Sequence, residues 1–462
     1  MRGKLSATDR AIRLSQTRSH SSPDKRSTQD IIMKGGEDPP WVSIRKRLSW
    51  SVRDREFFTH LVADLMEFNN GLFALVPTGQ RNFLSEVLKA EVVSAKTTSD
   101  ELEMTEVSVD PSDSGMQSVI SMKTLSLEAD TPPLDRPWLL QRVKLPVSSV
   151  LINDDGQSKI EAQNWVFGIF AKTNGARQLP VLIEWKPYDF QLAGTKAFAM
   201  ALRIDELARV LHESSKIPRL ETLPCIGYIE DLGKARFGFV FESPQAQLFG
   251  YPQHPRSLNG IIEMSSRLPP LEQRFQLATK LVKTLYNFHC ANWLHRELSS
   301  HKILFANVAK DRLEPNLSEP FLLGFSHARL EDHESMSSEL HVHTTDDATL
   351  YEHPYLLSSA PNQRPRYCRA FDVYSLGCVL LEIGLWRRLK ELWKRKYSDN
   401  PEVWAKRLAE NWARELRGKC GGTYEDLVRS CLLVNISAAT NQPNSLVEFC
   451  WTVLGKLEGL RV

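Results

Sequence analysis

The period of the hydrophobic pattern changes along this chain, and that change limits the fold more than any other feature. Apolar runs at 165–171, 181–185 and 237–241 read as strands, and a helical pattern at 197–213 lies between the last two. After residue 270 the pattern is almost entirely helical. A β-rich part, one helix and then an α-rich part together predict an α+β unit. The 462 residues are enough for two or three folding units. With 42% apolar and 25% charged residues, the chain is neither disordered throughout, nor collagenous, nor embedded in a membrane.

Lys and Arg total 58 against 56 Asp and Glu, so the net charge of +2 creates no global field for nucleic acid or an acidic membrane. The longest apolar stretch, 373–386, is interrupted by Glu382 and falls short of the about 20 residues that span a bilayer. No transmembrane helix is expected. The seven cysteines include no Cys-x-x-Cys pair, so buried free thiols in a reducing, cytoplasmic compartment are expected. Residues 1–22 carry five bases and one acid but no apolar core, which excludes a secretory signal and leaves an organelle presequence as the alternative.

Residues 1–40 are rich in Ser, Arg and Asp and read as a flexible tail. Phe57, Leu61, Leu65, Phe68, Leu72 and Leu75 share one helical face, widened by Phe58, Val62 and Met66, so a helix enclosed by partners is expected. A second helix through Phe83, Val87, Leu88 and Val92 would complete a hairpin within 41–95. Residues 96–135 hold nine acids against two bases among many Ser and Thr, and read as an acidic, solvated, flexible linker.

Several segments carry motifs in a defined order. The run His295-Arg296-Glu297-Leu298-Ser299-Ser300-His301-Lys302 resembles a protein-kinase catalytic loop, His-Arg-Asp-Leu-x-x-x-Asn. Gly324-Phe325-Ser326 resembles the Asp-Phe-Gly segment. Tyr351-Glu352-His353-Pro354 stands at the Ala-Pro-Glu segment, and 369–382 is very close to the buried helix that follows it in kinases. Val181-Leu182-Ile183-Glu184-Trp185-Lys186 resembles the strand with the phosphate-pairing Lys.

The resemblance implies a bilobal protein-kinase-like fold over 136–462, with a β-rich N-lobe at about 136–245 and an α-helical C-lobe at about 246–462. It makes His295, Arg296, Phe325, Pro354 and Asp372 structural positions, with Asp372 a core anchor that caps backbone near the catalytic loop. Lys186 is the candidate nucleotide-binding residue and Glu206 its ion-pair partner, with Asp205 or Glu213 as alternatives. Glu297 stands at the catalytic Asp, with a carboxylate displaced by about 1 Å. Lys302 replaces the metal-holding Asn and Gly324 the metal-binding Asp. A fixed ammonium opposes a divalent cation at short range. No Gly-x-Gly-x-x-Gly occurs. The pattern is that of a pseudokinase: no cofactor is required, any ATP binding is weak, and neither Mg²⁺ nor another metal site is expected.

Arg45-Lys46-Arg47-Leu48-Ser49-Trp50, then Asp54-Arg55-Glu56-Phe57-Phe58 and the helix through Leu75, resemble the last part of the HeLo domain of fungal prion-inhibition-and-propagation proteins. In filamentous-fungal chains that segment precedes a degenerate kinase-like region with a Glu-Trp-Lys strand and a Tyr-Ser-Leu-Gly helix, as at 184–186 and 374–377. The family implies a helical bundle linked to regulated cell death and membrane disruption. Because 1–40 cannot supply further bundle helices, membrane action by this form is not expected.

His341, His343, Asp346 and Asp347 match no metal-site spacing and read as a polar loop. Ser49 after three bases reads as a solvated helix start, with phosphorylation as the alternative. Trp386, Trp393, Trp404 and Trp412 read as core. The sequence therefore predicts a kinase-like interaction module whose partners are proteins, not nucleic acid. The alternatives are an active atypical Ser/Thr kinase and a membrane-acting helical effector.

Overall fold

In the computed structural model, the described residues are 55–75, 92–109, 114–129, 143–152, 165–171, 178–188, 195–214, 220–243, 255–265, 267–305, 317–330, 346–358, 365–397, 400–436, 452–457 and 459–460. The chain divides into two compact units, Met1–Pro77 and Thr78–Val462.

The first unit contributes helix α1 (Arg55–Leu75). The four-and-three spacing of its Phe and Leu residues produces the expected helix. Its enclosure is not observed: Phe57, Phe58, Leu65, Met66 and Phe68 are all more than half exposed. The expected hairpin partner falls mainly on 76–91, outside the described residues, as do residues 1–54.

The second unit begins with a departure from the sequence reading. Residues 96–135 contain helix α2 (Ser99–Ser108) and helix α3 (Ser114–Ala129) in place of a solvated linker. The acid count misleads because the acids are segregated. Asp100, Glu101, Glu103 and Glu106 lie on the exposed side of α2, and Leu102 turns inward. The α2 start is capped: the Thr98 hydroxyl accepts from the Glu101 amide, and the Glu101 carboxylate accepts from the Thr97 amide. In α3, Val119, Ile120 and Met122 are buried, with Met116 and Leu127 packed against the same core. Both helices lie in the second compact unit and share its main apolar core.

A five-stranded antiparallel sheet follows, formed by β1 (Val150–Ile152), β2 (Trp165–Phe170), β3 (Leu179–Pro187), β4 (Cys225–Asp231) and β5 (Arg236–Glu242). Their spatial order is β1-β2-β3-β5-β4. Alternation along β3 sends Val181, Ile183 and Trp185 to one apolar cluster with Val150, Phe170, Ile229 and Val240. Leu182, Glu184 and Lys186 face the other way. On that side the sheet shares its core with helix α4 (Thr195–Ser214) through Ile204, Leu207, Ala208 and Leu211.

The rest is mostly helical: α5 (Leu258–Met264), α6 (Leu271–Cys290), α7 (Pro354–Ser358), α8 (Arg369–Leu385), α9 (Leu389–Leu392), α10 (Pro401–Arg407), α11 (Leu416–Cys420) and α12 (Gly422–Leu432). Short strands β6 (Arg256–Ser257), β7 (Trp293–Leu294), β8 (Ile303–Phe305), β9 (Pro320–Leu322) and β10 (Arg329–Leu330) pair as β6-β8-β9 and β7-β10. Every residue of α8 is buried, which makes it the axis of this part. A Cβ at Gly384 would come within 2.5 Å of Leu416 and 2.8 Å of the Tyr424 ring, so α11 and α12 require glycine there. No helix among the described residues is long and apolar enough to cross a membrane. The six described cysteines are buried free thiols.

Candidate functional site

The anchor of the site is Asp372, fully buried in the first turn of α8. Its carboxylate accepts the amides of His295 and Arg296, each at 2.8 Å, the Tyr367 hydroxyl at 2.9 Å, and His289 Nε2 at 3.2 Å. Burial alone pushes this carboxyl up. The His289 hydrogen bond and the Arg296 amide oppose it, and the group is held below its ordinary 3.8. Four donors on one buried carboxylate fix the loop that begins at His295, where Arg296 takes a left-handed φ of 72°.

His295 links that loop to the next. Its Nε2 lies 2.9 Å from the Leu323 carbonyl, which can only accept, and its Nδ1 faces the Glu297 amide at 3.3 Å, which can only donate. The ring is therefore neutral with its proton on Nε2, as burial also favours by lowering its pKa. Phe325 packs edge-on against His295 and in a tilted arrangement, 5.1 Å between ring centres, against Phe288.

Strand β3 holds the turn at Gly324–Ser326 from the opposite side. Glu184, 1% exposed, accepts the amides of Gly324 at 3.1 Å and Ser326 at 2.9 Å. The Lys186 ammonium donates to the Ser326 carbonyl at 2.7 Å. Burial raises the pKa of Glu184, opposed by the charge of Lys302 and the Ser326 amide. Alternation places Glu184 and Lys186 on one face of β3, and their two charges clasp one three-residue turn.

Between these walls lies Lys302. Its ammonium is 3.5 Å from the Glu297 carboxylate and 5.3 Å from the ring centre of Trp165, a fully buried side chain opposite Glu184 on β2. The Lys302 stem runs directly over Gly324: a Cβ at 324 would meet Lys302 Cγ and Cδ at 2.9 Å, and the φ of 92° there also favours glycine. Lys302 and the glycine at 324 are therefore mutually dependent. Lysine fills the space that an aspartate side chain at 324 would need. His327 Nε2 lies 3.5 Å from the other Glu297 oxygen. Burial, opposed by the charge of Glu297 but helped by Lys186, Arg296 and Lys302, lowers His327 to about 4 and keeps it neutral at pH 7.

The structure thus brings Lys186, His295, Glu297, Lys302, Gly324 and Phe325 into one cluster beneath the sheet. Glu206 is buried on α4, and Arg296 stacks on Tyr367 at 5.1 Å. Pro354 opens α7, and nearby His353 packs edge-on against Phe371 and Tyr374 of α8. Asp347 pairs with Lys390, while His341 and His343 lie outside the described residues. Among the described residues, no three His, Cys, Asp or Glu side chains converge to hold a metal ion.

The sequence reading missed Glu184 and Trp165 as parts of this site. A lone acid inside the apolar strand Val181-Leu182-Ile183-Glu184-Trp185 was the signal, because a buried carboxylate must find donors. Trp165 offered no comparable signal.

Chemically, the cluster offers one carboxylate, Glu297, already engaged by an ammonium and in contact with a neutral imidazole. It offers a second, Glu184, committed to backbone amides. The two ammonium groups of the cluster, Lys186 and Lys302, are tied to the Ser326 carbonyl and to Glu297.

Comparison with protein families gives two matches. Residues 5–104 match the HeLo family, described as prion-inhibition and propagation. The match is wider than the 41–95 that the motifs alone carried. Residues 239–449 match a family described as a domain of unknown function (DUF7580). That second match takes in Glu297, Lys302, Gly324 and Asp372, and leaves Glu184, Lys186 and Glu206 outside it. Comparison with curated proteins gives no match. The chain therefore carries a HeLo-type region toward its N-terminal end, followed by an α+β unit whose helical part matches a domain of unknown function.

Proposed function

We propose that the α+β unit is a kinase-like, bilobal module that no longer transfers phosphate, and that it works as an interaction and signalling element joined to the HeLo-type region. The observation that carries this reading is that the Lys302 stem leaves no room for a side chain at 324. Phosphoryl transfer relies on metal ions held by an Asp and an Asn at these two positions. Here the Lys302 stem occupies the space beside Gly324 and its charge faces Glu297.

The order of elements supports the kinase-like part: a five-stranded antiparallel sheet with one helix between β3 and β4, then a helical part built around a wholly buried α8. The HeLo match supports a role in fungal signalling of the incompatibility or cell-death kind. On this reading the module works in the cytoplasm with protein partners and needs no cofactor. ATP binding, where it occurs, is weak and independent of Mg²⁺.

The test is a phosphotransfer assay on the purified full chain, with itself and a generic protein as acceptors, for wild type and Glu297→Ala. The reading expects no incorporation above background in either. Incorporation by wild type that is lost in Glu297→Ala would establish an atypical kinase and overturn it.

A further inference from the structure

Residues 92–109 and 114–129 are built into the core of the second unit. Val93 and Leu102 are 0% and 1% exposed, and Ile120 and Met122 are 1% and 0% exposed, all within the cluster that holds Ile204, Leu207 and Leu211 of α4. Helix α2 packs on α3, and α3 packs along α4. Helix α4 in turn packs on β4. There His212 Nδ1 lies 2.8 Å from the Cys225 carbonyl, and Asp205 hydrogen bonds the Tyr228 hydroxyl. Strand β4 pairs with β5 and β5 with β3, whose Glu184 and Lys186 clasp the Gly324–Ser326 turn. A continuous set of packed and hydrogen-bonded elements therefore runs from α2 to the cleft.

Two further observations give this path a direction. The HeLo match ends at residue 104, inside α2, so one helix belongs both to that match and to the core of the α+β unit. Helix α2 is also thinly anchored. Leu102 is its one buried side chain among those described, while Met104 and Val107 are 77% and 84% exposed. Elements with few buried contacts open at low free-energy cost.

We propose that α2 and α3 form a strap through which the HeLo-type region sets the state of the cleft. With Leu102 seated, the strap holds α4 against the sheet and, through β4, β5 and β3, holds the Glu184 grip on the 324–326 turn. Displacement of α2 unseats Leu102 and loosens α4 and that turn together. The inference rests on reading the cleft as a non-catalytic switch. Its test reads backbone exchange, so a phosphotransfer result that defeats that reading leaves the strap result separately interpretable.

The experiment is amide hydrogen exchange by mass spectrometry on the full chain, comparing wild type, Leu102→Ala, and Val428→Ala in α12 as a remote core truncation. Leu102→Ala is expected to speed exchange by about tenfold in 195–214 and across 320–327 while leaving α8 at its wild-type rate. Val428→Ala is expected to leave 195–214 and 320–327 unchanged. Faster exchange confined to 92–129, or raised equally throughout α8, would overturn the coupling. Leu102→Met, which keeps most of the buried volume, serves with the same readout if the alanine variant does not fold.

Discussion

Replacing Glu382 by Gln tests the energetics of the helical part directly. Glu382 is fully buried on α8, accepts the Leu389 amide at 2.7 Å and the Tyr351 hydroxyl at 2.9 Å, and so ties 346–351 to α8 and α9. Because Tyr351 donates its proton to Glu382, Ser300, at 2.8 Å from the phenol oxygen, donates to Tyr351. Burial pushes the Glu382 carboxyl from 4.5 to about 7, with the Leu389 amide, the Tyr351 hydroxyl and the charge of Arg388 pulling the other way.

A group whose folded pKa is raised contributes stability that is complete below its unfolded value and lost as pH rises through the folded one. Here the window runs from 4.5 to about 7. At about 1.4 kcal/mol for each unit of pKa, wild type loses about 3 kcal/mol from this group across that window. Glutamine does not titrate and can accept with only one oxygen, which costs about 1 kcal/mol for the weakened hydrogen bond. Wild type minus variant stability should therefore fall from about +1 kcal/mol at pH 4.5 to about −2 kcal/mol at pH 8.5. Urea unfolding followed by tryptophan fluorescence, at a series of pH values, measures that difference, and the buried histidines cancel from it. A difference that stays flat between pH 5 and 8 would refute the reasoning.

Three other outcomes follow from the site. Gly324→Asp should destabilise the fold by about 1–3 kcal/mol, through the left-handed φ and the collision with Lys302. Lys302→Asn in the same chain should return part of that loss, so a double-mutant cycle in urea should show coupling between the two positions. Asp372→Ala strands the amides of His295 and Arg296 and should cost about 3–5 kcal/mol, read as a large fall in urea midpoint or in soluble yield. His327 should titrate near pH 4 by NMR, and a midpoint near the ordinary 6.5 would show that its ring is not buried against Glu297.

Much of this architecture was legible in the sequence, and the reasons are specific. Strands β2, β3 and β5 announce themselves because their residues alternate between two apolar faces, and α4 because its apolar residues follow a helical period. The helices at 99–129 were hidden by counting charge over the whole stretch. The acids crowd into the exposed face of α2, while 114–127 carries a single charge, Lys123, and buries its apolar face on α4. Short pairings such as β6 with β8 leave no periodic trace in two or three residues.

In the site, the departures of Glu297, Lys302 and Gly324 from the kinase pattern that the sequence resembles were each visible. Their interdependence was not, because it depends on where the Lys302 stem lies relative to a missing Cβ. The grip of Glu184 was equally hidden: alternation shows which face of β3 it occupies, and only the tertiary fold shows which amides meet it.

On the proposed reading, Lys302 beside Gly324 and Glu297 leaves no site for a metal-bound nucleotide. A thermal-shift titration of the full chain with ATP, with and without Mg²⁺, on wild type and Lys186→Ala, tests it most directly, because any ligand of the native state raises its melting temperature. The account predicts no Mg²⁺-dependent rise for either protein. A Mg²⁺-dependent rise in wild type that disappears in Lys186→Ala would contradict it.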